Sequence, residues 1–430
     1  MYWSRFPRIA DVLGAAPTVL SMETPTSSPK YEKCFRPFFI GRQEIHLGTG
    51  EVGLSTFEKR CGTRRKDLCE PCSVIWKDDA YFALMNGAKN YNGKITFITL
   101  TAPGWRRFGK AHTITQGDRK YSTCACRKFH KEADPIVGLP LDKNNFQHKK
   151  VVEFNHLAPR LTAITLQKIW RLMATENQTT IKVSKRPTAR IMEWQNRGLL
   201  HTHIIVLGEI PESIVKAAIN GREAKNNSRR VSPTSHKGVR WGTQFDVKHI
   251  DGKNLNETKK LSAYVTKVIS YAVKDVTREN TAKHPGHNAH RQELRSYTNS
   301  VISCSATPFQ CRGADLGMNY SQLLAGLGSQ VGLCRKHYRG KHQLGFTGNV
   351  LSLNRSWGSS LGAARKTRQN WVKKSSLAQN AVKAFCLDTE KKLVTHLFLG
   401  RDPLSVQRFL AIRSRARIVI KSGVTAPLRT

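Results

Sequence analysis

Residues 190–208, RIMEWQNRGLLHTHIIVLG, are the stretch on which the reading of this chain turns. Two runs rich in apolar residues flank Asn196-Arg197-Gly198, a turn signal, so the stretch reads as a β-hairpin. Side chains alternate faces along a strand, which points His201 and His203 the same way. With a loop of three residues, Asn196 to Gly198, Glu193 falls directly opposite His201. One face of the hairpin then carries a carboxylate and two imidazoles, a set able to hold a divalent cation with positions left for a substrate. A bare His-x-His pair would as readily sit idle on a half-buried strand. The carboxylate across from it is what favours a site.

The chain has 430 residues, room for two or three units and at least one sizeable core. It carries 71 Lys and Arg against 30 Asp and Glu, a formal net charge of +41 spread along its length. Such a surplus makes a polyanion the expected partner, with nucleic acid first. No apolar run approaches the ~18 residues of a membrane span, so no membrane association is expected. The opening residues are basic and partly apolar, but Asp11 and Pro17 interrupt them and no cleavage site follows, which argues against a signal peptide. The ten cysteines are therefore expected in a reducing cytoplasm, where clustered thiols point to metal rather than disulfides.

Residues 1–55 show little periodicity and include a Pro/Ser/Thr-rich segment at 24–29, so a flexible arm is expected there. Residues 56–135 read as a cysteine module around a strand at 94–104. CGTRRKDLCEPC, residues 61–72, supplies Cys61, Cys69 and Cys72, and Cys69-x-x-Cys72 is half of a zinc site. Cys124-x-Cys126 is the expected other half, with Cys61 or His130 as an alternative ligand and one zinc per chain. Ser73 to Asn90 reads as an amphipathic helix, and KITFITLTAPGW at 94–105 as a buried strand.

Helices are expected at 157–175 and 212–220, a surface excursion at 221–240 and a strand at 241–250. LSAYVTKVISYAVKDV, residues 261–276, is helical in pattern and repeats Tyr-x-x-Lys as Tyr264/Lys267 and Tyr271/Lys274. Spacings of three and seven put all four on one face. In isolation, an amphipathic helix that buries tyrosines and snorkels lysines explains the same pattern. The histidines of HPGHNAHR (His284, His287, His290) are expected in a solvated loop. Residues 301–430 read as a basic region contacting DNA, where Trp357 and Trp371 among arginines and lysines suit base stacking beside phosphate contacts. A solvated basic face competes with that reading.

A β-branched strand, then a His-x-His strand, then a Tyr-x-x-Lys helix, in that order, resembles the replication-initiator branch of the HUH endonucleases. The likeness is greatest to rolling-circle initiators of actinobacterial plasmids and integrative elements. CGTRRKDLCEPC, TFITLTAPG, MEWQNRGLLHTHIIVLG, RWGTQFDVKHIDG, YVTKVISYAVKD and GFTGNVLSLNRSWGSSLGAAR carry it, from about residue 60 to 365. The resemblance implies an α+β fold, an α/β sandwich with a central, mainly antiparallel sheet, and a nicking core at 136–300. It implies that a tyrosine hydroxyl attacks a phosphodiester of single-stranded or origin DNA, leaving a 5′-phosphotyrosine and a free 3′-OH. Phenol is a weak nucleophile near neutral pH, so Mg²⁺ or Mn²⁺ at Glu193, His201 and His203 would polarise the phosphate.

The chain departs from the family pattern in two places. Thr202 stands between the histidines where a bulky apolar residue is usual. The two Tyr-x-x-Lys units are seven residues apart rather than overlapping. Tyr271 with Lys274 looks more like the single-tyrosine plasmid initiators and is the favoured nucleophile, with Tyr264 and Lys267 in reserve or as a second pair. No Gly-x-x-x-x-Gly-Lys-Ser/Thr loop is evident, so host helicase and polymerase would be partners. Two other readings stand beside this one: a mobilisation relaxase, and a non-catalytic zinc-containing DNA-binding protein.

Overall fold

The computed structural model describes residues 33–46, 52–66, 68–89, 91–115, 124–131, 133–223, 230–252, 255–272, 285–302, 343–380, 392–400 and 407. In chain order the elements begin with β1 (Phe38–His46), β2 (Val52–Lys59), α1 (Glu70–Lys89) and β3 (Lys94–Leu100). There follow α2 (His148–Glu176), α3 (Ile181–Ser184), β4 (Thr188–Trp194), β5 (Leu200–Leu207) and α4 (Glu212–Asn220). Next come β6 (Ser235–His236), β7 (Val239–Arg240), β8 (Phe245–Asp251) and α5 (Leu255–Ala272). The last are α6 (Pro285–Ser296), β9 (Leu351–Leu353), α7 (Leu361–Asn380) and β10 (Lys392–Gly400). They fall into two compact units, residues 80–360 and residues 1–79 with 361–430.

In the larger unit five strands run antiparallel in the order β8-β3-β5-β4-β9. β3 and β5 hold the middle, and their side chains are buried on both faces. That is why KITFITL and HIIVL read as near-continuous apolar runs instead of alternating. β8 lies at an edge and keeps Asp246, Lys248 and Asp251 exposed, charges that discourage pairing with another strand. Helices cover both faces. On one, Thr162 of α2 meets Thr202 of β5, hydroxyl to hydroxyl at 3.4 Å. On the other, Tyr264 of α5 packs edge-on against Phe97 of β3, ring centres 4.8 Å apart. The expected mixed helix and sheet fold with a central antiparallel sheet is therefore present.

Thr202, the unusual residue between the histidines, is fully buried, with its hydroxyl 3.1 Å from Met192 Sδ. α2 starts at His148, earlier than 157, and runs through Pro159, because Val151, Val152 and Phe154 extend the buried face. Two sequence expectations need correction here. The HPGHNAHR segment is not a solvated loop where it is described. Pro285 opens α6 as a first-turn proline, and His290 is buried against Trp105, Phe146 and His148. Trp357 does not offer a stacking surface: it is 1% exposed, packs on Gly87 of α1 and donates its indole N–H to the Ala83 carbonyl.

The smaller unit contains the antiparallel sheet β10-β1-β2. β1 lies inside the stretch expected to be an arm; FFIGRQEIH lacks the alternation that marks a half-buried strand. Arg368 of α7 forms two hydrogen bonds, 2.9 and 3.2 Å, to the buried Asp79 carboxylate. No helix among the described residues is long and apolar enough to cross a membrane. Lys274, His284, Cys304 and Cys311 lie outside the described residues, as do the side chains of Tyr271 and Trp371.

Candidate active site and metal-donor clusters

The β4–β5 hairpin has the expected register. Glu193 stands opposite His201 and Ile191 opposite His203. The Gln195 N–H donates to the Leu199 carbonyl at 2.8 Å and closes the loop Asn196–Gly198. Gly198 takes φ +74°, left-handed backbone that a residue without a Cβ adopts freely. Asn155, fully buried on α2, fastens this turn. Its amide donates to the Gly198 and Leu344 carbonyls (2.8 and 2.9 Å) and accepts from the Leu200 N–H at 3.1 Å. The sheet thus aims Glu193, His201 and His203 from one face, with Thr99 of β3 paired to His203.

His203 is the hub of that face. Its Nε2 lies 2.5 Å from Glu193 Oε2, and its Nδ1 lies 2.9 Å from the Tyr264 hydroxyl. Thr99 Oγ1 bridges the pair, 3.2 Å from His203 Nδ1 and 3.4 Å from the phenol oxygen. A carboxylate, an imidazole and a phenol are therefore linked in series. Burial is the chief cause that raises the Tyr264 pKa, and the negative Asp246 and Glu193 add to it against the Thr99 hydrogen bond. The phenol is accordingly protonated at neutral pH and needs help to become a nucleophile.

Burial first, then the neighbouring His203 charge, depresses His201 to about 4 despite Glu193. At neutral pH its imidazole is uncharged and keeps a lone pair; its Nε2 contacts the Gln195 amide nitrogen. Arg197, at the tip of the hairpin, is the adjacent cation. Its guanidinium donates to Gln195 Oε1 (2.7 Å) and to the Pro103 and Ala102 carbonyls (2.6 and 3.1 Å), and it lies over the Trp105 ring. Burial lowers its pKa to about 10, which still leaves it charged at neutral pH. The guanidinium is thus a fixed positive charge near the His201 imidazole.

Of the two tyrosines, the described geometry brings Tyr264 to the histidines. Tyr271 lies near the described end of α5, and Lys267, one turn after Tyr264, is exposed. Glu193, His201 and His203 share a face, but their ligand atoms are not gathered as closely as in two other groups. Those groups, Cys34/Cys61/Cys69/Cys72 and His112/Cys124/Cys126/His130, each hold their donor atoms within 4.8 Å of one another. This grouping of donor atoms differs from the set expected from sequence. Cys69 and Cys72 are completed by Cys34 and Cys61, whereas Cys124 and Cys126 are completed by His112 and His130. Thr99, Asn155, Gln195, Arg197, Cys34 and His112 were not singled out from sequence. None of them carries a local sequence pattern that marks it, and the two Cys pairs could be read as completing each other.

Burial pushes the Cys61 and Cys72 thiols up. At Cys34 and Cys124 burial acts the same way, but hydrogen bonds from neighbouring groups outweigh it and hold these thiols down to about 7.

The molecule so far is an α+β protein of strong positive charge in which Glu193 and His203 of the antiparallel sheet meet Tyr264 of α5, near the half-buried Arg197. A family model described as RepSA, replication initiator protein, pSAM2, matches residues 27–403, and the chain belongs to this family of replication initiators. A curated relative, a replication initiator protein of Streptomyces ambofaciens, is 23% identical over 348 residues, covering 72% of this chain and 69% of that protein. No solved structure shows a significant match. The resemblance to initiators of actinobacterial plasmids is thereby borne out.

Proposed function

We propose that this replication initiator nicks and rejoins one strand of origin DNA through a 5′-phosphotyrosine, with Tyr264 as the nucleophile. The observation that carries the reading is the 2.9 Å contact between the Tyr264 hydroxyl and His203 Nδ1. Tyr271, favoured from sequence, is seven residues further along the helix, a rise of about 10 Å at ~1.5 Å per residue. A phosphate held at His203 is then within reach of the Tyr264 hydroxyl.

The Tyr264 oxygen attacks phosphorus, the bond to the 3′ oxygen breaks, and that oxygen takes up a proton to leave a 3′-OH. Attack by a 3′-OH on the phosphotyrosine reverses the step and rejoins the strand. Glu193, His201 and His203 are the donors for Mg²⁺ or Mn²⁺, and their chemistry fits: two imidazoles, one of them held neutral, and a carboxylate on one face. Such an ion supplies Lewis-acid polarisation of the scissile phosphate. With its Nε2–H donated to the Glu193 carboxylate, His203 keeps a lone pair on Nδ1 that accepts the Tyr264 O–H and takes up the phenolic proton as the oxygen attacks. Arg197 balances phosphate charge at the mouth of the site.

The basic surplus supplies salt-sensitive DNA binding. Strand separation and synthesis fall to host helicase and polymerase. Family membership favours replication over mobilisation, and the intact Tyr264–His203 contact argues against a binding-only protein. The test is incubation with single-stranded origin DNA, with Mn²⁺ or Mg²⁺ or with EDTA, followed by denaturing electrophoresis. A covalent protein–DNA band that requires the cation is expected. Binding without any such band would return the protein to the non-catalytic class.

A further inference from the structure

We infer that the chain binds two structural zinc ions rather than one, at a four-thiolate site (Cys34, Cys61, Cys69, Cys72) and a two-cysteine, two-histidine site (His112, Cys124, Cys126, His130). Sulfurs around a tetrahedral zinc at ~2.3 Å are about 3.8 Å apart, and a nitrogen and a sulfur about 3.6 Å. In the first group Cys34 Sγ lies 3.7 Å from Cys69 Sγ and 3.5 Å from Cys72 Sγ. These spacings far exceed a disulfide bond of about 2.05 Å and suit a shared ion. The Cys61 N–H also donates to Cys34 Sγ at 3.3 Å, the kind of bond that favours a thiolate.

In the second group His130 Nε2 lies 3.0 Å from Cys126 Sγ and 3.2 Å from His112 Nδ1, and His112 Nδ1 lies 3.9 Å from Cys124 Sγ. The other ring nitrogen of His130 is 2.7 Å from Asp134 Oδ2. A carboxylate there fixes the tautomer, puts the lone pair on Nε2 and aims it into the cluster, as outer partners of zinc-bound histidines do. Asp134 is itself set by the Ile136 N–H at 3.1 Å. Arg127, just past the Cys-x-Cys pair, takes φ +65°, and its N–H closes a turn on the Cys124 carbonyl at 2.8 Å. An arginine keeps that unfavoured conformation where its surroundings enforce it, and an ion gripped by Cys124 and Cys126 would do so.

Packing of reduced thiols would explain a pair of sulfurs in contact. It does not explain two separate sets of four donors, one of them with a carboxylate behind its histidine. His112 also lines a cavity of about 270 Å³ with Trp105, Gln195 and Arg197, so the second site faces the tip of the β4–β5 hairpin across it.

The test is metal analysis of the full chain purified in the presence of zinc, by inductively coupled plasma mass spectrometry. Two zinc ions per chain are expected, falling to one in Cys72→Ser and to one in His130→Ala. Asp134→Asn keeps every ligand and guards against variants that fail to fold. In chelator competition one equivalent should weaken about 10–100-fold while the other is unchanged. Cobalt substitution gives an independent readout, because a four-thiolate and a two-thiolate, two-histidine centre absorb differently, and both signatures should appear. One zinc per chain in the unaltered protein, or equal weakening of all bound metal by Asp134→Asn, would overturn the inference.

Discussion

The hairpin site and the cysteine-rich clusters are built by opposite routes. Glu193, His201 and His203 come from a single hairpin, and their common face follows from strand register, a glycine turn and Asn155 behind it. Cys34 and Cys72, by contrast, are far apart in sequence, and His112 and Cys124 join across a stretch that includes undescribed residues. Backbone hydrogen bonds fix the first arrangement before any ligand arrives. In the second, close-set thiols would repel once ionised, so an ion is the natural element holding them. On the inference of two zinc ions, the difference separates a preformed surface from clusters whose order would depend on the ion they bind.

Chelation should separate the two most strongly, since structural zinc contributes about 10–16 kcal/mol to folding of small zinc modules. With zinc removed, hydrogen exchange should accelerate by orders of magnitude at residues 61–72 and 124–131, while amides of β3, β4 and β5 stay protected. Equal loss of protection in the sheet would erase the distinction. His203→Ala should reduce covalent adduct formation by about 10³-fold or more, with salt-sensitive DNA binding largely retained. Unchanged cleavage in that variant would remove His203 from the chemistry.

Asn155→Ala strands three hydrogen-bonding groups at the turn and should cost about 2–4 kcal/mol in denaturant unfolding. A loss below about 1 kcal/mol would mean the turn holds itself.

The smallest expected effect concerns His290. Burial, reinforced by the neighbouring His148 and His287, depresses its folded pKa to about 3, against about 6.5 unfolded. Below about pH 6.5 the unfolded chain therefore takes up the proton first, and stability is lost progressively down to about pH 3. Between pH 7 and 5 this amounts to about 2 kcal/mol. His290→Leu should show correspondingly less acid destabilisation; an unaltered pH dependence would contradict this.

Period-two patterning and an Asn-Arg-Gly turn made the hairpin and even its register legible, and a continuous β-branched run did the same for β3. α4 was legible from Glu212 to Asn220 because its apolar residues keep helical spacing. Cys34 and His112 left no local pattern, because each reaches its cluster from a separate loop. Trp357 looked like a stacking residue because burial against Gly87, distant in the chain, has no signature nearby. The tyrosines were the hardest. Residues seven apart share a helical face, so sequence fixes the face and cannot say which turn lies over His203. Tertiary packing, through Phe97 and through the Tyr81–Ser262 hydroxyl contact at 2.7 Å, decides the axial position of α5.

The nucleophile assignment is tested most directly by comparing Tyr264→Phe with Tyr271→Phe on single-stranded origin DNA in the presence of Mn²⁺, each variant losing only a hydroxyl. Tyr264→Phe should abolish the covalent protein–DNA band on denaturing gels, and Tyr271→Phe should leave initial nicking intact. Full adduct from Tyr264→Phe together with none from Tyr271→Phe would contradict the account and move the nucleophile two helical turns along α5.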